Sequence, residues 1–238
     1  MPGLVSYLVL AKVLSDTLVP IRFRSGGQED LFAWSTIAVF AGLGLVGIWS
    51  GRATGFPAAW DARTSSTRRL LLPAVLGLAI GVVETGLDLL TAGTQALAQV
   101  TGQSSFNIDF PGSLLAYSGG AIQVEVIYRL FGLPFLLWLI STVLLRGHAR
   151  QPTLLVLGAL SAGFEPVGQG VFLFLGGGGV ITPLMLGTYL VTALPENILA
   201  VLFFRRYGLM APLALRMSEY LIFHILYGNF LYSAVFVS

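Results

Sequence analysis

Apolar residues occupy this chain in long blocks separated by short polar connections, at roughly 3–21, 31–50, 70–100, 113–145, 152–175, 180–204 and 208–236. A helix needs about 20 predominantly apolar residues to cross a hydrocarbon core of about 30 Å. The blocks therefore predict an all-α fold, a polytopic transmembrane helix bundle of about six to seven spans, forming a single domain over residues 1–238. Unbroken apolar runs exclude the alternating strands of a membrane β-barrel. The first block differs from the rest because it carries Lys12 and Asp16, four residues apart and able to pair on one helix face. Residues 1–30 are expected to hold either a first span or a helix lying in the interface. The block at 70–100 is longer than a perpendicular crossing needs, so it should tilt, extend beyond the membrane or break.

Composition points the same way. Hydrophobic residues make up 55% of the chain and charged residues 10%, with mean hydropathy +0.84, whereas a soluble domain carries about 25% charged residues. So few charges cannot cover a water-facing surface. Cysteine is absent, which excludes disulfides, thiolate metal sites and a cysteine nucleophile. His148 and His224 are the two histidines, too few for a zinc site of the usual Cys/His kind. No metal, cofactor or nucleic-acid partner is expected. The start, Met1-Pro2-Gly3-Leu4, lacks the basic region and cleavage site of a secretory signal, so Met1 is expected to be the mature start.

The arrangement of positive charge predicts orientation, because short cytoplasmic loops retain Lys and Arg. Arg52, Arg63, Arg68 and Arg69 share one connection, Arg146 and Arg150 another, Arg205 and Arg206 a third. These three, at 51–69, 146–151 and 205–206, are expected on the cytoplasmic side. The intervening connections, Thr101 to Pro111 and the run Gly176-Gly177-Gly178-Gly179, carry neither residue type and should face the other side. Arg22 and Arg24, next to Glu29 and Asp30, depart from this alternation if the first block crosses.

Charged side chains inside hydrocarbon cost about 2.5–3.5 kcal/mol each on insertion scales, so they face the bundle interior and mark function. This chain places Glu84 and Asp88 in the third block, Glu125 and Arg129 in the fourth, Glu165 in the fifth, Glu196 with Asn197 in the sixth, and Arg216, Glu219 and His224 in the last. Glu125 and Arg129 are spaced i,i+4 and should form a buried pair facing the centre. Arg216, Tyr220 and His224 recur every four residues and form one polar stripe. Such groups serve either as structural ion pairs or as the lining of a catalytic or transport cavity. For Glu84 and Asp88, close to a helix end, the structural role is favoured.

The stretch Gly119-Gly120-Ala121-Ile122-Gln123-Val124-Glu125-Val126-Ile127-Tyr128-Arg129-Leu130-Phe131 resembles the first motif, Glu-Glu-x-x-x-Arg, of the CPBP family, the CAAX-protease and bacteriocin-processing intramembrane proteases. The resemblance covers about residues 70–236 and extends to the penultimate helix with its basic turn at Arg205-Arg206-Tyr207 and to the polar face of the last helix. It implies a multi-pass intramembrane endopeptidase scaffold in which Glu125 and Arg129 match the motif's second Glu and its Arg. In the family, the first Glu and a second-motif His activate water, while a His and an Asn or Asp of the third motif support the oxyanion. This chain has Val124 in place of the first Glu. It offers Glu165 where the second-motif His is expected, and Arg216 and Tyr220 near the third-motif positions, with His224 about a turn later.

Two accounts follow from these departures. The chemistry is lost and the scaffold binds membrane partners, which is simpler, or it is rebuilt on Glu125, Arg129, Glu165, Arg216 and His224, with Asn197 and Tyr220 contacting substrate. Expected partners are the lipid bilayer and a membrane protein or peptide substrate. Alternatives from other classes are a structural subunit of a larger membrane complex and a proton- or ion-coupled transporter using Glu84, Asp88, Glu125 and Glu165 as relay carboxylates. The Gly- and Pro-interrupted segments near Pro166 and Pro195 speak for transport, and the lack of an internal repeat speaks against it.

Overall fold

The computed structural model describes residues 1–21, 31–59, 64–101, 108–176, 179–232 and 235. These residues form helices throughout, with no strand among them. The elements are α1 (Pro2–Thr17), α2 (Trp34–Ala53), α3 (Thr67–Thr91) and α5 (Gly112–Leu144), with the short α4 (Gly93–Thr101) between the last two. They continue with α6 (Arg150–Gly176), α7 (Pro183–Tyr207) and α8, where Met210–Tyr220 runs on without a break as Leu221–Leu231. Among the described residues, α2, α3, α5, α6 and α7 are the five helices long and apolar enough to cross a membrane. Helix α1 has 16 residues, and α8 carries the buried charges Arg216 and Glu219. The expected pairing in α1 is present, with Lys12 Nζ 2.9 Å from Asp16 Oδ1.

The block at 70–100 breaks. Helix α3 ends at Ala92, whose φ of 53° is left-handed, with its N–H on the Asp88 carbonyl. Helix α4 then starts afresh, its Thr94 N–H donating to Asp88 Oδ1 at 2.7 Å. Asp88 also accepts from the Tyr227 hydroxyl at 2.6 Å, so its carboxylate ties together α3, α4 and α8. That is the structural role favoured for it on sequence grounds.

The surface is inverted relative to a soluble protein. Leu45, Trp49, Val75, Val82, Leu155, Phe164, Leu184 and Leu202 are exposed, while Arg69, Asp88, Glu125, Arg129, Glu165, Glu196, Arg216 and Glu219 are buried. This pattern fits a bundle in a bilayer, where lipid solvates apolar flanks and polar groups must find partners inside. Lipid tails remove the hydrophobic drive between helices, so association rests on close packing and interhelical hydrogen bonds. Gly77 and Gly81 on α3 provide the packing through a small-xxx-small pair. A Cβ at Gly77 would stand 2.0 Å from the Leu215 carbonyl oxygen, and one at Gly81 2.8 Å from Ile222 Cβ. Helix α2 crosses α5 in the same way at Gly47, against the Leu130 carbonyl.

Three connections converge at one end of the bundle. The Arg150 guanidinium donates to the Thr54 carbonyl, Arg205 Nη2 donates to Gln151 Oε1 at 3.4 Å, and Gly208, with φ 80°, lies against the Ala58 carbonyl. Phe56 stacks on Phe204 there, centroids 5.0 Å apart. At the opposite end, Phe110 N–H donates to Asn229 Oδ1 at 2.9 Å. Arg22, Arg24, Glu29, Asp30 and Arg63, the residues from Gly102 to Asn107, and Gly177 with Gly178 lie outside the described residues.

Candidate functional site: a buried charge cluster

Four helices bring ionisable groups to one point. On α5, the regular helix ends at Glu125, and Val126–Gly132 follows in wide turns hydrogen-bonded five residues apart. Pro134 explains part of this, because proline lacks an N–H and clashes with the carbonyl four residues earlier, which loosens the preceding turn. Arg129 lies within the widened stretch, and wide turns of this kind recur at functional positions. On α6 and α7 a proline adjoins the charged residue, Pro166 after Glu165 and Pro195 before Glu196.

Arg216 of α8 is the hub. Its Nε donates to Glu125 Oε1 at 2.8 Å, its two terminal nitrogens donate to the two oxygens of Glu165 at 3.2 and 3.3 Å, and Nη2 also donates to Asn197 Oδ1 at 3.1 Å. The bidentate fork on Glu165 is the strong form of a charge-assisted contact. Arg129 approaches from α5. Its Nη1 donates to Glu165 Oε2 at 3.2 Å and its Nη2 to Asn197 Oδ1, while its Nε stands 3.6 Å from Glu125 Oε2. Asn197 is oriented by its own amide N–H on the Ala193 carbonyl at 3.0 Å. Glu125 and Arg129 are both 0% exposed.

Glu125, Arg129, Glu165, Asn197 and Arg216 thus meet directly, and Tyr220 joins them by accepting from Arg216 Nη1 at 3.4 Å. His224 does not. It lies a turn further along α8, stacked on Tyr117 at 4.3 Å and edge-on to Tyr220 at 5.0 Å. Two neighbours outside the candidate set enlarge the cluster. Glu196 Oε1 lies 3.9 Å from Arg216 Nε, and Glu219 is hydrogen-bonded to Glu84 of α3. Both were visible in sequence as intramembrane carboxyls, but their partners are on other helices and no spacing reveals them.

The chemistry open to the cluster follows from its occupancy. Hydrolysis with Glu125 or Glu165 as base needs that carboxylate within hydrogen-bond reach of a water. Both oxygens of Glu165 accept from guanidinium groups, and the two oxygens of Glu125 face Arg216 and Arg129. Each candidate base is therefore held as half of an ion pair. Val124 supplies no replacement.

Comparison of the chain with protein-family models, with curated proteins and with solved structures finds no match in any of the three.

Proposed function

We propose that the chain is a CPBP-like multi-pass membrane protein that binds membrane partners without cleaving them, its former catalytic chamber serving as an ionic lock. The observation that supports this most is the engagement of Glu125 and Glu165 by Arg129 and Arg216. A carboxylate paired with two guanidinium groups is a weaker proton acceptor than a free one, because both positive charges favour its ionised form. The partner is a membrane protein or peptide, alone or within a larger membrane complex. Transport would need a route past Glu125, Arg129, Glu165 and Arg216, which are buried and paired with one another.

Peptides carrying the family's type of cleavage site, incubated with the protein in detergent, should be cut no faster than peptide alone. Cleavage by the wild type that disappears in Glu125→Gln and Glu165→Gln would replace this proposal with the altered-endopeptidase reading.

Counting α8 with the five long apolar helices gives six spans, and α1 makes a seventh, in line with the proposed six to seven. The connections bearing Arg52 to Arg69, Arg146 to Arg150, and Arg205 with Arg206 are assigned to the cytoplasmic side. Contacts among Thr54, Arg150, Gln151 and Arg205 support a common side for all three. The chain contains no cysteine, so single cysteines placed at Ser65, Ala149 and Arg206 can be probed one at a time. All three should resist an impermeant maleimide added outside intact cells, while one at Thr182 should react. Labelling at only some of the first three would break the topology.

A further inference from the structure

Beside the lock, between α3, α4, α6, α7 and α8, lies a cavity of about 320 Å³, within the size range of small-molecule sites, about 300–1,000 Å³. We infer that this cavity is a binding site for an organic monocation with an apolar body, such as a quaternary or protonated amine. This goes beyond the loss of cleavage and does not depend on it.

The sign of the ligand's charge follows from the lining. Glu84 and Asp88 line the cavity, and among the described lining residues there is no Lys or Arg. Asp88 is already committed to Thr94 and Tyr227. Glu84 sits one turn deeper and is only partly buried. It is hydrogen-bonded to Glu219, which is 3% exposed, so the two carboxyls share one proton and keep one negative charge, and Glu219 Oε2 has no hydrogen-bond partner among the described residues. Acceptor capacity is thus unmet behind Glu84, next to a space that no Lys or Arg among the described residues lines. Arg216, the nearest guanidinium in the lock, does not line the cavity and is occupied by Glu125 and Glu165. An anion entering here would meet two carboxyl groups, with His224, packed among aromatic rings, the one basic side chain among the described lining residues.

The ring wall points to an organic rather than a metallic cation. Tyr189, Tyr220 and Phe223 line the cavity, and ring faces attract ammonium groups. His224 stiffens this wall, since it is stacked on Tyr117 and edge-on to both Tyr220 and Phe223. Among the described residues no group of three or more His, Cys, Asp or Glu is arranged to hold a metal ion. Leu97 and Met185 give the remaining wall an apolar surface that suits a hydrocarbon or aryl body.

The test uses benzyltrimethylammonium and its uncharged isostere neopentylbenzene, titrated calorimetrically into the full chain in a non-ionic detergent. The wild type should bind the cation saturably and at least tenfold more tightly than the isostere. Glu84→Gln should weaken cation binding at least tenfold and leave the isostere unchanged. Met185→Trp, which fills the cavity from its rim, should abolish binding of both while circular dichroism and melting temperature stay at wild-type values. Cation and isostere binding equally, Glu84→Gln retaining full cation affinity, or tighter binding of 3-phenylpropionate would each overturn the assignment. So would absence of saturable binding to the folded wild type, or undiminished binding in Met185→Trp should Glu84→Gln not fold. The cleavage assay reports on Glu125 and Glu165 and this titration on Glu84, so either can fail without the other.

Discussion

Replacing Arg216 by leucine should destabilise the bundle by about 3–5 kcal/mol, the usual cost of removing one partner from a buried ion pair. The residue is 3% exposed and contacts Glu125, Glu165, Asn197 and Tyr220. Leucine would leave Glu125 with Arg129 Nε at 3.6 Å and Glu165 with a single donor at 3.2 Å. The Tyr220 hydroxyl accepts one long contact, 3.4 Å, from Arg216 within α8, so Tyr220→Phe should lose no more than about 1 kcal/mol, the net worth of one ordinary hydrogen bond. Arg216→Lys should fall between the two, because it keeps the charge and loses the planar fork. Unfolding in mixed detergent micelles measures all three, and near-wild-type stability of Arg216→Leu would show that the lock does not hold the helices.

The second large effect is steric. Gly77→Leu should cost about 3 kcal/mol or prevent native packing of α3 on α8, the upper end of overpacking penalties. The obstacle is the Leu215 carbonyl oxygen, 2.0 Å from where a Cβ would stand, and a helix backbone cannot rotate aside as a flexible side chain can. Gly86 lies on the same helix with nothing within 4 Å of its Cβ position, so Gly86→Leu should be tolerated. Equal melting temperatures for Gly77→Leu and Gly86→Leu would contradict the packing described.

The helical class and the five long apolar helices were legible in sequence because hydrocarbon imposes length and apolarity on each span. The pairing of Glu125 with Arg129 was also legible, because i,i+4 is a local relation. Glu165 and Arg216 are 51 residues apart, and only the packed bundle shows that they share a fork. The polar stripe of α8 was read correctly as a face, yet that face divides: Arg216 and Tyr220 reach the cluster while His224 joins an aromatic wall with Tyr117, which carries no charge to draw notice. The Gly77–Gly81 spacing was present in the chain but hidden within a run read for hydropathy alone. Glu84 and Asp88, one turn apart, both line the cavity but differ in their partners, since the break at Ala92 turns a new helix N–H toward Asp88.

The distribution of the charged groups over the helices bears on the order of synthesis. Helix α5 leaves the ribosome with Glu125 and Arg129 already within reach of each other, but α6 adds Glu165, which must share Arg129 with Glu125, and α7 adds Glu196 before Arg216 has been translated. Each unpartnered charge costs about 2.5–3.5 kcal/mol in hydrocarbon. A nascent chain ending at Tyr207 therefore presents two carboxyl-bearing helices that favour the insertion machinery over free lipid. Release into the bilayer should wait for α8, whose arrival delivers the guanidinium that lets four helices leave together.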